Sequence, residues 1–364
     1  MVLMPRLPWF DAAWDALRRL EARGVHAILL HGPSGIGKTR LALDFAQTLL
    51  CESPDAHGGA CGACHGCTLA ISGNHPDLRI VVPDALAELR GPEAPAEEAV
   101  DADADTGEVH ETKKKTSREI RIDQIRELAD LIGVSTHRGG TRVVVLAPAE
   151  SLNAASANAL LKMLEEPPSQ ARFVLVSDSL DDVWPTIRSR CVLQRVAAPE
   201  PAVALRWLCE QGVDDPEARL AAAGGAPLAA IEESERQLDH ATRSALLALL
   251  AQGARLTPAE IATRVPRTLP VAAAITLFQR WGWDLLAYRT AERVRYHPPH
   301  KASIMRIAAA STEAALLGWL RSLGQMQATS DHPLNPRLTV EAALISYLEA
   351  VQGLRSAAWR ESGA

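Results

Sequence analysis

Residues 32–39, GPSGIGKT, set Gly32 and Gly37 five positions apart and follow them with Lys38 and Thr39. That order fits the phosphate-loop pattern, in which free backbone N–H groups face an anion at a helix N-terminus. Lys38 would reach the outer phosphates, and the Thr39 hydroxyl would be available to Mg²⁺. The other lysines are only Lys113–Lys115, Lys162 and Lys301. A chance match is therefore a poorer explanation than phosphate-loop ancestry.

Hydrolysis needs more than a cradle. An acid at the end of the third strand must hold Mg²⁺, and a second carboxylate must orient water. That strand reads VVVLAPAES, with Ala147 and Pro148 where an Asp-Glu pair is expected. Glu150 lies beyond the strand end and is a weak substitute. The hydrolytic site reads as disarmed, while passive binding of ATP and Mg²⁺ stays open.

Cys51, Cys61, Cys64 and Cys67 form C-x9-C-x2-C-x2-C. Two consecutive C-x-x-C steps let thiolates converge on one tetrahedral ion, with Cys51 at the end of the phosphate-loop helix as fourth ligand. A redox pair and an iron–sulfur cluster are the alternatives. Gly58, Gly59, Gly62 and Gly66 favour a tight knuckle around structural zinc, with no coordination position left open for catalysis. Of the remaining cysteines, Cys191 and Cys209 read as small core residues.

Arg190, in IRSRC just before the fifth strand, reads by itself as a surface or ion-paired arginine.

These residues need a frame. HAILLHG before the loop is a short apolar run and reads as a buried strand; DLRIVVP, TRVVVLAP, ARFVLVS and CVLQRV read as four more. Phe10, Trp14, Leu17 and Leu20 share a helical face, as do Ile122, Ile125, Leu128 and Ile132, and SANALLKMLEE is a helix stopped at Pro167. Strands alternating with helices imply an α/β fold, a parallel sheet covered on both faces. From about residue 199 onward the pattern is helical throughout.

The 364 residues are 47% hydrophobic, 23% charged and 4% aromatic, enough for two or three folded domains. Net charge is -6, but residues 84–112 hold ten acids against Arg90, so the rest carries about +3. A near-neutral body without a basic stripe argues against autonomous tight binding to nucleic acid. The stretch from 84 to 117, closed by Lys113–Lys115, is poor in apolar residues and expected to be solvated. The absence of an apolar run of membrane length and of a leader segment makes the expected location cytoplasmic, with reduced thiols.

The phosphate loop, the four-cysteine knuckle, NHPD (74–77), NALLKMLEEPP (158–168), SRC (189–191) and HPLNPRL (332–338), in this order, resemble the delta-prime subunits of bacterial DNA polymerase III clamp loaders. The likeness covers nearly the whole chain apart from the acidic insert. It implies an AAA+ core over residues 1–198 containing the zinc module (51–67) and the insert (84–117), a helical lid over 199–240, and a C-terminal helical collar over 241–364. It further implies a stator that helps ATP-dependent loading of the sliding clamp onto primed DNA, in a hetero-pentamer with gamma/tau motor subunits and a delta subunit. Such a chain belongs to an enzyme complex without being an active ATPase itself. Arg190 matches the arginine that points into a neighbouring subunit's ATP site.

A working gamma/tau-like ATPase is the first alternative. Ala147 and Pro148 argue against it, as does Leu228 in GGAPLAA, where the motor subunits carry an arginine. A zinc-containing nucleic-acid-binding module unrelated to replication is the second, disfavoured by the lack of basic and stacking residues around the knuckle.

Overall fold

The computed structural model describes residues 6–55, 58–90, 117–133, 140–168, 170–232, 238–266, 269–328 and 335–353. The chain forms two compact units, Met1–Glu200 and Pro201–Ala364.

In the first unit the elements are α1 (Asp11–Ala22), β1 (Ala27–His31), α2 (Lys38–Leu49), α3 (His65–Ile71), β2 (Leu78–Val81), α4 (Ile122–Gly133), β3 (Arg142–Leu146), α5 (Ala154–Glu165), β4 (Ala171–Ser177), α6 (Pro185–Arg188) and β5 (Val192–Arg195). All five expected strands are present. They form one sheet in the order β2-β3-β4-β1-β5, with every pairing parallel. Leu29 stands opposite Leu175 of β4 and Leu193 of β5, so β1 is bonded on both edges. Its apolar run has the composition of a strand covered on both faces.

Alternation along the strands divides the core. Leu29, Val144, Leu146, Phe173 and Leu175 pack with Ile125, Leu128 and Ile132 of α4 and with Leu160 and Leu164 of α5. The opposite face, with Ile28, Leu30, Val143, Val145 and Val174, is also buried. On α1 and α2, Phe10, Trp14, Leu17, Leu41 and Phe45 are buried as well, with the Trp14 and Phe45 rings edge to face at 6.0 Å. Each large ring there removes on the order of 150–250 Å² from water, which makes these aromatics the main anchor of α1.

The second unit contains α7 (Pro201–Glu210), α8 (Pro216–Ala222), α9 (Pro227–Glu232), α10 (His240–Gln252), α11 (Pro258–Arg264), α12 (Val271–Ala291), α13 (Lys301–Ala310), α14 (Glu313–Ala328) and α15 (Pro336–Gln352), and no strand among the described residues. Ala204, Leu208, Leu220, Ala223 and Ala230 form one small core. A larger one gathers α10 to α15 around Trp281, Trp319 and Tyr347. Within it the Trp281 indole donates to the Tyr347 hydroxyl, which donates to the Leu250 carbonyl at 2.7 Å. Asp284 is fully buried and accepts the N–H groups of Arg295, Tyr296 and His297. No helix among the described residues is long and apolar enough to cross a membrane.

Two expectations need correction. Cys209 is exposed, not a core residue. Ala204 and Leu208, four residues apart, take the inward face of α7, and the next position is turned about 100° away from it. The stretch expected to be solvated from residue 84 onward begins with a folded turn of 3₁₀ helix, Asp84–Arg90. Asp84 pairs with Arg121 at 3.1 Å, and the Ala85 N–H donates to the Ser117 carbonyl. The remainder of that acidic stretch, 91–116, lies outside the described residues.

Asp44, on α2, sits beneath α1 with one carboxylate oxygen that has no hydrogen-bond partner among the described residues. Burial raises its pKa to about 6, although Arg40 and Arg6 pull it down. The folded state therefore binds the proton more tightly than the unfolded chain, whose value is near 3.8, and stability falls as pH rises between the two. Asp44→Asn removes that dependence. It should raise stability by about 1–3 kcal/mol at pH 7.5 and change it little at pH 4, as read from urea midpoints at both pH values.

Candidate functional site

The carboxyl edge of the sheet assembles the first site. The loop between β1 and α2 leaves the sheet at Gly32, where an added Cβ would stand 2.2 Å from the Val196 carbonyl oxygen. Only glycine lets the chain pass that close to the end of β5. Gly37 precedes α2 at φ 93°, a left-handed conformation that other residues adopt only with strain. Ile36 is fully buried, and its carbonyl accepts the Trp9 indole N–H at 2.9 Å, which ties the loop to the segment before α1.

Lys38 opens α2 and is only 3% exposed. Its ammonium donates to the Pro33 carbonyl at 2.6 Å and to Asp178 Oδ1 at 2.5 Å. Asp178 follows β4 directly, and the pairing of β4 with β1 carries it to the lysine. Its own N–H donates to Glu150 Oε1 at 2.9 Å. Glu150 thus serves as an acceptor for backbone beside the loop. Gly32, Gly37, Lys38 and Thr39 lie together at this edge, as their spacing requires. At the end of β3, Ala147 and Pro148 offer no carboxylate.

Asp178, the ion-pair partner of the loop lysine, is the residue at this site that sequence reasoning missed. The available signal is an acid one residue past a strand that ends at the carboxyl edge. It acquires meaning only once β4 is known to neighbour β1.

The second site lies at the far end of α2. The Sγ atoms of Cys51, Cys61, Cys64 and Cys67 all stand within 4.8 Å of one another. Cys51 and Cys64 are 3.9 Å apart, and Cys61 and Cys67 are 4.0 Å apart. Four thiolates about 2.3 Å from one tetrahedral ion would stand about 3.8 Å from each other, so the donor set fits a metal such as zinc. Successive N–H···S bonds, Cys61 N to Cys51, Cys64 N to Cys61 and Cys67 N to Cys64, wrap the turns around the sulfurs. Gly66 permits this packing, because a Cβ there would meet the Leu50 carbonyl oxygen at 2.5 Å. Burial pushes the Cys67 thiol up to about 12; at Cys64 burial also pushes upward, but hydrogen bonds from backbone N–H groups and from the neighbouring thiols together outweigh it and bring the thiol down to about 6. Four ionised sulfurs this close need a cation among them.

Arg190 lies after α6. It is one-third exposed and folded back on its own unit, pairing with Glu165 at the end of α5 and donating to the Thr186 carbonyl at 3.0 Å. An ion pair this open is worth about 0–1 kcal/mol, so exchange for another anion costs little. Cys191 is half-buried against the sheet core, and burial raises its thiol to about 12, which removes it as a nucleophile.

Comparison with known proteins places this geometry in a lineage. The protein is 39% identical to DNA polymerase III subunit delta' of Pseudomonas aeruginosa, over 61% of this chain and 60% of that protein. It is 34% identical to the subunit of the same name from Yersinia pestis, over 61% of this chain and 59% of the relative. The alignments therefore span about three fifths of those relatives. A gamma subunit-related protein of DNA polymerase III from Thermotoga maritima superposes over 94% of this chain and all of that one, at 18% identity and a TM-score of 0.44. The family model described as DNA polymerase III, delta subunit, matches residues 16–200, just over half of the chain. By that match, this protein belongs to the DNA polymerase III delta-subunit family.

Proposed function

We propose that the chain is a non-motor subunit of a bacterial DNA polymerase III clamp loader, which helps load the sliding clamp onto primed DNA without itself turning over ATP. The observation that carries this reading is the end of β3. Family membership supplies the context, and Ala147 and Pro148 leave no acid there to hold Mg²⁺ or orient water. In this reading residues 1–198 are the AAA+ core, 199–240 the lid and 241–364 the collar. The partners are gamma/tau motor subunits and a delta subunit in a hetero-pentamer.

Arg190 is the arginine delivered in trans. Its planar, permanently charged fork suits a terminal phosphate whose charge grows as it leaves a neighbouring subunit's ATP. Exchanging Glu165 for that phosphate trades a weak, solvent-screened pair for a stronger, desolvated one. The four-cysteine knuckle holds structural zinc through Cys51, Cys61, Cys64 and Cys67, which ties the segment after α2 to the core. With all four positions taken by sulfur, the ion has no catalytic vacancy.

The functional reading is tested by purifying the tagged chain from its own cells. Clamp and motor subunits should accompany it, and their absence from a folded, stable preparation counts against the reading. Elemental analysis should find one zinc per chain in the wild type and almost none in Cys64→Ser. Iron, or a metal-free wild type with four titratable thiols, would remove the zinc assignment. Arg190→Ala should assemble normally but slow clamp- and DNA-stimulated ATP hydrolysis by the reconstituted complex. The loss should be partial, because the other ATP sites retain their own arginines, and Arg190→Lys should restore only some of the rate. Steady-state phosphate release, with assembly checked by gel filtration, gives the answer.

A further inference from the structure

The phosphate loop is complete in sequence, yet its lysine already has an anion. We propose that Asp178 is a built-in counter-charge that occupies Lys38 and keeps nucleoside triphosphates off this loop. The proposal rests on the reading of the chain as a subunit that does not turn over ATP, and supplies a second reason for it beyond the missing acids of β3.

Three observations support it. The Lys38 side chain is 2% exposed and that of Asp178 46%, so the carboxylate stands on the solvent side of the ammonium, where an incoming phosphate would arrive. Two of the three ammonium donors are used, on Asp178 and on the Pro33 carbonyl, which leaves little of the lysine for a triphosphate. The backbone that carries the carboxylate is also anchored. The Asp178 N–H is bonded to Glu150, and that second carboxylate adds negative charge at the same edge. A triphosphate would have to displace one carboxylate from its ion pair and approach another, both unfavourable for a polyanion. The rest of the cradle is undamaged: Gly32 and Gly37 keep the turn, and Trp9 holds the Ile36 carbonyl. Selectivity against nucleotide is thus assigned to one side chain.

The test is calorimetric titration of the full-length chain with ATP, with and without Mg²⁺, for wild type, Asp178→Asn, Asp178→Ser and the double variant Asp178→Asn/Lys38→Ala. Thermal melting would verify the fold of each. Either single variant frees the lysine charge and should bind ATP about tenfold or more tightly than wild type, with the gain abolished in the double variant. Equal affinity in wild type and the folded single variants would overturn the proposal, whether that affinity is strong or undetectable. So would a gain that survives loss of Lys38. A wild-type Kd of about 10 µM or tighter overturns it alone, even if no variant folds. Failure here leaves the clamp-loader reading standing, because that reading fails only on its own evidence: substantial ATP turnover by the isolated chain, or no association with clamp and motor subunits.

Discussion

The position of β1 between β4 and β5 is the constraint on which the rest of the first unit depends. A strand buried on both faces and both edges must have all its backbone groups paired, since an orphaned buried N–H or carbonyl costs about as much as a lost hydrogen bond. That requirement fixes the register of three strands at once. It also fixes what emerges from their carboxyl ends: the glycine loop after His31, Asp178 after Ser177, and Val196 after Arg195. The ion pair between Lys38 and Asp178 and the close approach of Gly32 to Val196 both follow from that register. A one-residue slip of β4 would turn its apolar set onto the wrong face and carry Asp178 away from the loop.

The two ends of α2 illustrate how one helix organises opposite kinds of charge. Its N-terminus begins at Lys38, with the loop glycines bringing backbone N–H groups toward the carboxyl edge. Beyond its C-terminus, Cys51 begins a set of sulfurs that carry negative charge when ionised and are bound by short-range N–H donors. The phosphate loop lacks acids from β3 and carries a carboxylate on its lysine, and the sulfur cluster has four donors and no open position. Arg190, partly exposed and paired with Glu165, lies just before β5, at the opposite edge of the sheet from the phosphate loop.

Much of the first unit was legible in the sequence because its signals are local. Five apolar runs bounded by turns became five strands, and the i, i+3, i+4 spacing of α1 and α4 placed Phe10, Trp14, Leu17, Ile125, Leu128 and Ile132 in the core. The cysteine spacing carried the cluster, since two C-x-x-C steps and a nearby helix end leave few other ways for the sulfurs to point. Cys209 was misread because cysteine type suggests burial, whereas its angle on α7, set by Ala204 and Leu208, points it outward. The ordered start of the acidic stretch was missed because composition averages over a window, while Asp84 pairs with an arginine 37 positions later.

The sequence by itself determined the elements, the glycine loop, the sulfur quartet and the lack of an acid at Ala147 and Pro148 directly after β3, all of which depend on residue type within a few positions. Only the tertiary structure decided which elements stand side by side. The order β2-β3-β4-β1-β5 brings Asp178 to Lys38 across 140 positions, and the end of α5 brings Glu165 to Arg190 across 25. Parallel pairing is set by the burial of whole faces and by crossovers longer than any local pattern, so the partner of a charge at the sheet edge is a property of the assembled sheet and of no single segment.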